Sequence, residues 1–350
     1  MSKSGYTIEE IKSVIAEYPV GKLLKTEHVT SGKMNINLAV TTTTGKYLLK
    51  KYYLTIFYEK ELLAQHKFLE HLARQNVKVV PALATDKGKT VVIKRKCRYV
   101  LFPFIESAQP PQKITQRHYI DGAQNLARFH VVARDYPSKV YSHLKPWPEC
   151  IQKVTKSFYQ GSSYHKTKSV KSLLYPKKKY DAFDKFVLAH EGWLARLRDE
   201  LLHAGKHIRY RDLTYVHFDF QPANLLYNEQ GTIIAIVDFD QVHRDIMQLD
   251  LVKAVRFFAL NPHEKSINFT KARWFVEAYI QENPIRLNPN HAYYFLLFQV
   301  LRRLYYMLEL YYNHGYETTK IIAQKDFALT KFLVKNKKQF VAALAKTHSI

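Results

Sequence analysis

Residues 217–240 constrain this chain more than any other stretch. They read HFDFQPANLLYNEQGTIIAIVDFD. Two short β-rich runs, 225–227 and 232–237, flank the turn Asn228-Glu229-Gln230-Gly231, which is the pattern of a tight hairpin. A hairpin returns its outer ends to one place, so Asp219 and Asn224 on the entering side are expected near Asp238 on the leaving side. Two carboxylates and an amide are all oxygen donors, and they suit a hard ion such as Mg²⁺ with water in its remaining positions. One carboxylate can stay off the metal and accept a proton from an attacking hydroxyl.

The residues before this hairpin fall into two textures. Residues 7–17 predict a short helix that Pro19 and Gly21 end. The stretches 34–42 (MNINLAVTT), 46–53 (KYLLKKYY), 79–86 (VVPALATD) and 98–105 (RYVLFPFI) read as strands. Between them, 58–74 places Leu62, Gln65, Leu69 and Leu72 on one helical stripe with Phe68 beside it. The order is β-β-β-α-β-β, a small antiparallel sheet with one helix. From Thr115 onward the rhythm is helical, through Ile120, Ala123, Leu126, Ala127 and His130. Residues 134–180 carry Pro137, Pro146, Pro148 and Pro176 and the densest run of lysines, from Lys166 to Lys179, and are expected to be an inserted surface segment. A helix is predicted over about 181–204, and helices fill the chain after the hairpin. Pro103, Pro110 and Pro111 mark the expected boundary between a lobe of about 1–104 and one of 105–350. The overall expectation is an α+β fold.

H-x-D-x-x-x-x-N followed by a β-hairpin and h-D-x-D resembles the protein-kinase-like small-molecule phosphotransferases, a group that includes aminoglycoside phosphotransferases, choline kinases and type II homoserine kinases. The downstream spacing Asp238, Asp240, Asp245 and Asp250-Leu251 looks most like the spore-coat (CotS-like) branch. The likeness extends over roughly residues 22–312. It implies a bilobal kinase-like fold that binds ATP and Mg²⁺, with Asp219 as catalytic base and Asn224 and Asp238 as metal ligands. By the same resemblance, Lys50 sits where the family's phosphate-pairing lysine lies on the third strand. Lys51 is the competing choice, because a one-residue slip reverses the face. Thr30-Ser31-Gly32-Lys33-Met34-Asn35 resembles the family's reduced phosphate loop, making Ser31 and Gly32 nucleotide contacts. YVLFPFIES (99–107), with Phe104, looks like the hinge strand that meets adenine, and LARFH (126–130) matches a family helix signature. Glu61 is the choice for the lysine's helix partner, since it shares an edge with Gln65 and Phe68. Asp245 and Asp250 read as loop and helix-start anchors.

The chain departs from the family at Phe218, where members carry a small or polar residue, and at Gln221, where many carry His or Lys. Other chemistries fit poorly. Glu27 and Met34 break a Walker A loop, no G-x-S-x-G elbow occurs, and His66 and His71 lie five apart rather than four. Cys97 and Cys150 form neither a disulfide framework nor a zinc pattern, which points to a reduced, cytoplasmic setting. The N-terminus lacks a signal-peptide apolar stretch, and 293–312 carries Arg302, Arg303 and Glu309, so no membrane span is expected. A formal net charge of +24 over 350 residues favours acidic partners, to which the lysine-rich 165–179 stretch is suited, but no nucleic-acid module accompanies it. The expected function is therefore transfer of the ATP γ-phosphate to a hydroxyl of a small-molecule acceptor. The alternative is a catalytically silent, spore-coat-like scaffold of the same fold.

Overall fold

The computed structural model describes residues 6–29, 35–53, 58–107, 114–142, 144–154, 156–160 and 167–348. In chain order the elements begin with α1 (Ile8–Ile15), β1 (Leu23–His28), β2 (Ile36–Thr42), β3 (Lys46–Tyr53), α2 (Glu59–Arg74), β4 (Val92–Lys94) and β5 (Cys97–Pro103). Then come α3 (Gln116–Arg134), α4 (Trp147–Gln152), α5 (Lys156–Tyr159), α6 (Val170–Leu174), α7 (Ala182–His207), β6 (Leu213–Val216), β7 (Leu225–Tyr227), β8 (Ile233–Ile236) and β9 (His243–Ile246). The chain continues through α8 (Met247–Ala259), α9 (Phe269–Glu282), α10 (Pro289–His314), α11 (Glu317–Lys335) and α12 (Lys337–Ala345). Two compact units result. One comprises Met1–Lys113, Arg128–Leu144 and Pro222–His243; the other comprises Ile114–Ala127, Lys145–Gln221 and Arg244–Ile350.

The first unit is built on an antiparallel sheet of order β1-β2-β3-β5-β4. Strand alternation gives β3 two working faces. Leu49 packs with Leu38, Val40, Tyr99, Leu101 and the apolar side of α1, whereas Tyr52 packs with Val100 and with Leu62 of α2. α1 starts at a capping box in which Thr7 and Glu10 satisfy each other's backbone N–H groups. The expected strand at 79–86 is not formed. Val79 makes a single parallel bridge to Ile236, and Leu83 N–H donates to Leu101 at 2.7 Å. Pro81 between them has no N–H to extend a ladder. The sheet's remaining strands are β1 and β4, which periodicity did not isolate because both are short or exposed. The hairpin β7–β8 pairs Leu225 with Ile236. Gly231 closes its turn at φ +71, a conformation that glycine adopts without steric cost.

The second unit is helical apart from the two-stranded sheet β6–β9. β9, only four residues long, is an addition to the expected all-helical end. α10 is capped by Asn288 and ends at Gly315, φ +70. It is buried along most of its length because helices surround it: Trp147 lies against Phe295 and Phe298 with ring centroids 4.9 Å apart in each case. Segment 134–180 is less of a surface insertion than expected. Its lysines at 168, 171, 178 and 179 are exposed, yet Trp147, Ile151, Phe158, Val170 and Leu174 are buried. Prolines and lysines spaced between these apolar residues hid the core from the sequence pattern. Among the described residues no helix is long and apolar enough to cross a membrane.

Candidate active site

Within the first unit, β3 and the end of the hairpin are joined by charge. Lys50 Nζ lies 2.9 Å from Asp238 Oδ1 and 2.8 Å from Asp240 Oδ2. Lys51, on the opposite face, pairs with Glu10 at 3.1 Å, and Tyr99 also donates to Glu10. Strand alternation thus decides between the two lysines, and Lys50 is the one beside the hairpin acids. Burial alone would pull the Lys50 ammonium down, but Asp240 and then Asp238 hold it well above the usual lysine range. Asp240 is pushed upward by burial and by Asp238, against the pull of Lys50. Asn35 Nδ2, just before β2, donates to Asp240 at 2.7 Å and Tyr52 Oη at 3.3 Å, so this carboxylate is gripped by Asn35 and by Lys50 and Tyr52 of β3.

Asn224 ends a one-turn 3₁₀ helix, and its carbonyl accepts the Val237 N–H at 3.0 Å. That bond ties Asn224 to the residue before Asp238 across the two ends of the hairpin. Asp238 itself has φ +66 and a side chain 41% exposed. Asn224 and Asp238 therefore offer hard oxygen donors, one of them reaching solvent, which fits a divalent ion completed by water and nucleotide oxygens. Among the described residues no three His, Cys, Asp or Glu side chains form a metal site by themselves. A metal there would depend on those added oxygens.

The remaining expected nucleotide residues are placed less directly. Glu61 is buried in the first turn of α2, where its carboxylate accepts the Tyr58 N–H at 3.1 Å. Among the described residues Lys50 forms its ion pairs with Asp238 and Asp240, not with Glu61. One turn on, Gln65 donates to the carbonyl of Phe239, which ties α2 to the segment between the two aspartates. Glu61, Gln65 and Asp240 line one small cavity with Tyr141. Phe104 is partly buried just after β5, with Lys46 Nζ 4.0 Å from its ring centroid. Ser31 and Gly32 lie outside the described residues.

Within the second unit, the loop bearing Asp219 is held by Asp250. Its carboxylate, 1% exposed, accepts the N–H of His217 at 2.9 Å and of Phe218 at 3.0 Å. His217 is fully buried, and its Nδ1 accepts the Asp219 N–H at 3.2 Å, a structural role for that ring nitrogen. Gln221 Nε2 donates to Asp219 Oδ2 at 3.1 Å. Phe218 has φ +60, a costly conformation for a bulky residue. It persists because Asp250 fixes the N–H and Lys253 donates to the carbonyl. Asp245 is a second anchor, accepting the Trp147 N–H at 3.0 Å and 3.1 Å. The sequence named the anchors but not Lys253. Its signal was its position three residues after Asp250, on the same face of a helix.

A lysine on the third strand of a five-stranded sheet, two aspartates after a hairpin and an anchored H-x-D loop define a phosphate-handling enzyme. The model of the "Phosphotransferase enzyme family" matches residues 25–279, and the chain belongs to that family. It is an ATP-dependent phosphotransferase that acts on a small molecule. It is similar to the homoserine kinase of Chelativorans sp. (strain BNC1), 25% identical over 280 residues that span 79% of this chain and 77% of that protein. Two solved structures share the fold. One is spectinomycin phosphotransferase in complex with ADP and spectinomycin, with TM-score 0.65, 12% identity, and 99% of this chain and 100% of that one covered. The other is an amicoumacin kinase in complex with AMP-PNP and Ca²⁺, with TM-score 0.70, 15% identity, and coverage of 93% and 94%.

Proposed function

We propose that the chain moves the γ-phosphoryl group of Mg·ATP to the hydroxyl of a small amino-acid-like acceptor, with homoserine the first candidate. The observation that carries this reading is the Lys50 ammonium resting on Asp238 and Asp240. A lysine paired with the same carboxylate that faces solvent is arranged to exchange part of that pairing for nucleotide phosphate oxygens. In the reaction, the acceptor oxygen forms a bond to the γ-phosphorus while the bond from that phosphorus to the β,γ-bridging oxygen breaks. The bridging electron pair leaves with ADP, and Asp219 takes the hydroxyl proton. Asn224 and Asp238 would hold the divalent ion, which supplies charge neutralisation on the phosphates when bound. Lys50 contributes a fixed positive charge, and Asp250 keeps the Asp219 loop in one conformation.

In this reading residues 1–104 serve as the nucleotide lobe and 105–350 as the acceptor lobe, and Ser31, Gly32 and Phe104 contribute to the nucleotide side. The Gln65 bond to Phe239 takes over the tethering that a Glu61–Lys50 pair would give. Two free cysteines suit a cytoplasmic setting, and the exposed lysines of 168–179 suit an acidic partner. One observation favours a second reading: Lys50 is already neutralised by Asp238 and Asp240, which fits a silent scaffold related to the spore-coat branch. Turnover separates the two. Mg²⁺-dependent ATP consumption is measured against L-homoserine and pooled hydroxyl-bearing metabolites, with Asp219→Asn as control. Stimulation of the wild type alone supports phosphotransfer, whereas silence with demonstrated Mg·ATP binding supports the scaffold.

A further inference from the structure

The stretch from Lys168 to Glu191, in the second unit, holds six lysines, no arginine and three acids. In α6, Val170 and Leu174 lie one helical turn apart and are fully buried, which turns Lys171 outward. The Lys168 N–H and carbonyl are both bonded to the Asn313 side chain, at 2.8 Å and 3.0 Å, and Tyr180 Oη donates to the Tyr175 carbonyl at 3.0 Å. The connection between α6 and α7 is thus pinned, and its charges stand on a fixed scaffold. Its acids are spent locally. Asp184, 1% exposed, takes Lys177 on both oxygens at 2.8 Å and Tyr312 at 2.9 Å. Glu191 accepts from Tyr175, and Asp181 caps α7. Lys168, Lys171, Lys178, Lys179 and Lys185 are left exposed, with no ion pair among the described residues.

The start of α11 adds apolar groups beside this connection. Lys320 Nζ lies 5.6 Å from the Phe183 ring centroid and 5.4 Å from that of Tyr311, which sets the start of α11 next to the start of α7, where the connection ends. Among the described residues the second unit leaves four large apolar side chains exposed, and three of them are here: Tyr175 at 43%, Tyr316 at 54% and Ile321 at 51%. An array made only of lysines is a set of compact point charges, without the forked geometry by which arginine reads individual phosphates. An aliphatic side chain such as Ile321 adds nothing to the binding of a soluble polyanion. Lysines flanked by exposed tyrosine and isoleucine match a headgroup layer instead, where ammoniums meet anionic phosphates and apolar side chains enter the acyl boundary. We propose that this surface of the second unit docks on an anionic phospholipid bilayer, holding the protein at a membrane without spanning it. The inference is independent of the phosphotransfer reading.

The test is co-sedimentation of the full chain with phosphatidylcholine vesicles, with and without about one third phosphatidylglycerol, at about 0.15 M salt. Binding is expected only with the anionic lipid. Lys171→Gln, Lys178→Gln and Lys179→Gln together should weaken it about a hundredfold. Lys335→Gln, Lys338→Gln and Lys346→Gln together remove the same charge from exposed lysines elsewhere on the unit and should leave most of the binding intact. Tyr316→Ser with Ile321→Ser, at unchanged charge, should weaken it about tenfold. All three variants should melt like wild type. Equal losses from the two triple variants would reduce the effect to net charge and overturn the proposal, as would failure of wild type to bind the anionic vesicles. A thymidine oligonucleotide bound more tightly than the vesicles at the same salt, or vesicle binding indifferent to Tyr316→Ser with Ile321→Ser, would assign the surface to a soluble polyanion and likewise overturn it.

Discussion

Lys50 Nζ meets Asp240 Oδ2 at 2.8 Å across 190 residues of sequence. The pair lies within a single compact unit, so the central strand of the sheet and the hairpin that follows the Asp219 loop are one electrostatic object. Removing the cation leaves two carboxylates facing each other, one of them largely buried. Lys50→Met is expected to cost about 2–4 kcal/mol of stability, because an uncompensated buried charge is the expensive half of a broken pair. It should also lower kcat/KM for ATP by about 10²-fold. Urea denaturation and initial rates at varied ATP check both; an unchanged midpoint would refute the first.

Asp219→Asn keeps the shape of the side chain and an oxygen for Gln221 to donate to. Turnover should fall by about 10³-fold while the melting temperature stays within experimental scatter. A variant as active as wild type would remove Asp219 from the mechanism.

Asp250→Ala strips the acceptor from two buried N–H groups and frees a residue held at positive φ. The expected loss is about 2–4 kcal/mol of stability, with a fall in kcat larger than any change in the KM for ATP. Equal stability of the variant and wild type would show that the loop is held otherwise.

At Phe218 the usual ranking of small residues should invert. Glycine adopts φ +60 without the side-chain penalty, whereas alanine retains it, so Phe218→Gly is expected to be about 1 kcal/mol more stable than Phe218→Ala. Both should lie below wild type, since each deletes a ring that is 4% exposed. Thermal melts of the three proteins decide this.

His66 supplies a pH signature. It is 1% exposed, its Nδ1 is 2.7 Å from Thr90 Oγ1, and burial, then Lys50, lower it to about 4. Between that value and its ordinary 6.5 the unfolded chain binds a proton that the folded one refuses, so stability rises with pH there and is lost as pH falls from about 6.5 toward 4. The contribution approaches about 1.4 kcal/mol per pH unit. His66→Gln should flatten that part of the profile relative to wild type in urea titrations at pH 4.5 and 7. Identical slopes would contradict the assignment.

The parts of this molecule legible from sequence were those where spacing alone dictates geometry. The turn 228–231 fixed the hairpin, and the hairpin tied Asn224 to the residue before Asp238. Lys50 and Lys51 could not be told apart, because neighbouring strand residues differ only in which face they use. That choice needed the packing of α1, whose Glu10 claims Lys51. Glu61 was chosen by helical edge, yet its carboxylate is spent on the first turn of its own helix. Pro81 spoiled a strand that hydropathy favoured. Lys253 was legible only through its place three residues after Asp250 on one helix face, and only the fold brings it to the Phe218 carbonyl.

The unit that holds Lys50 is assembled from three separate stretches of chain, the last ending at His243. During synthesis the sheet emerges long before the aspartates that neutralise its central lysine. A ribosome-bound chain stopped short of that hairpin carries an ammonium on the α2 side of its sheet with none of its acidic partners yet made. The order in which the protein is made thus delays completion of the unit that holds Lys50 until well over half the chain has appeared. Truncations intended to isolate that unit will inherit the same unmatched charge.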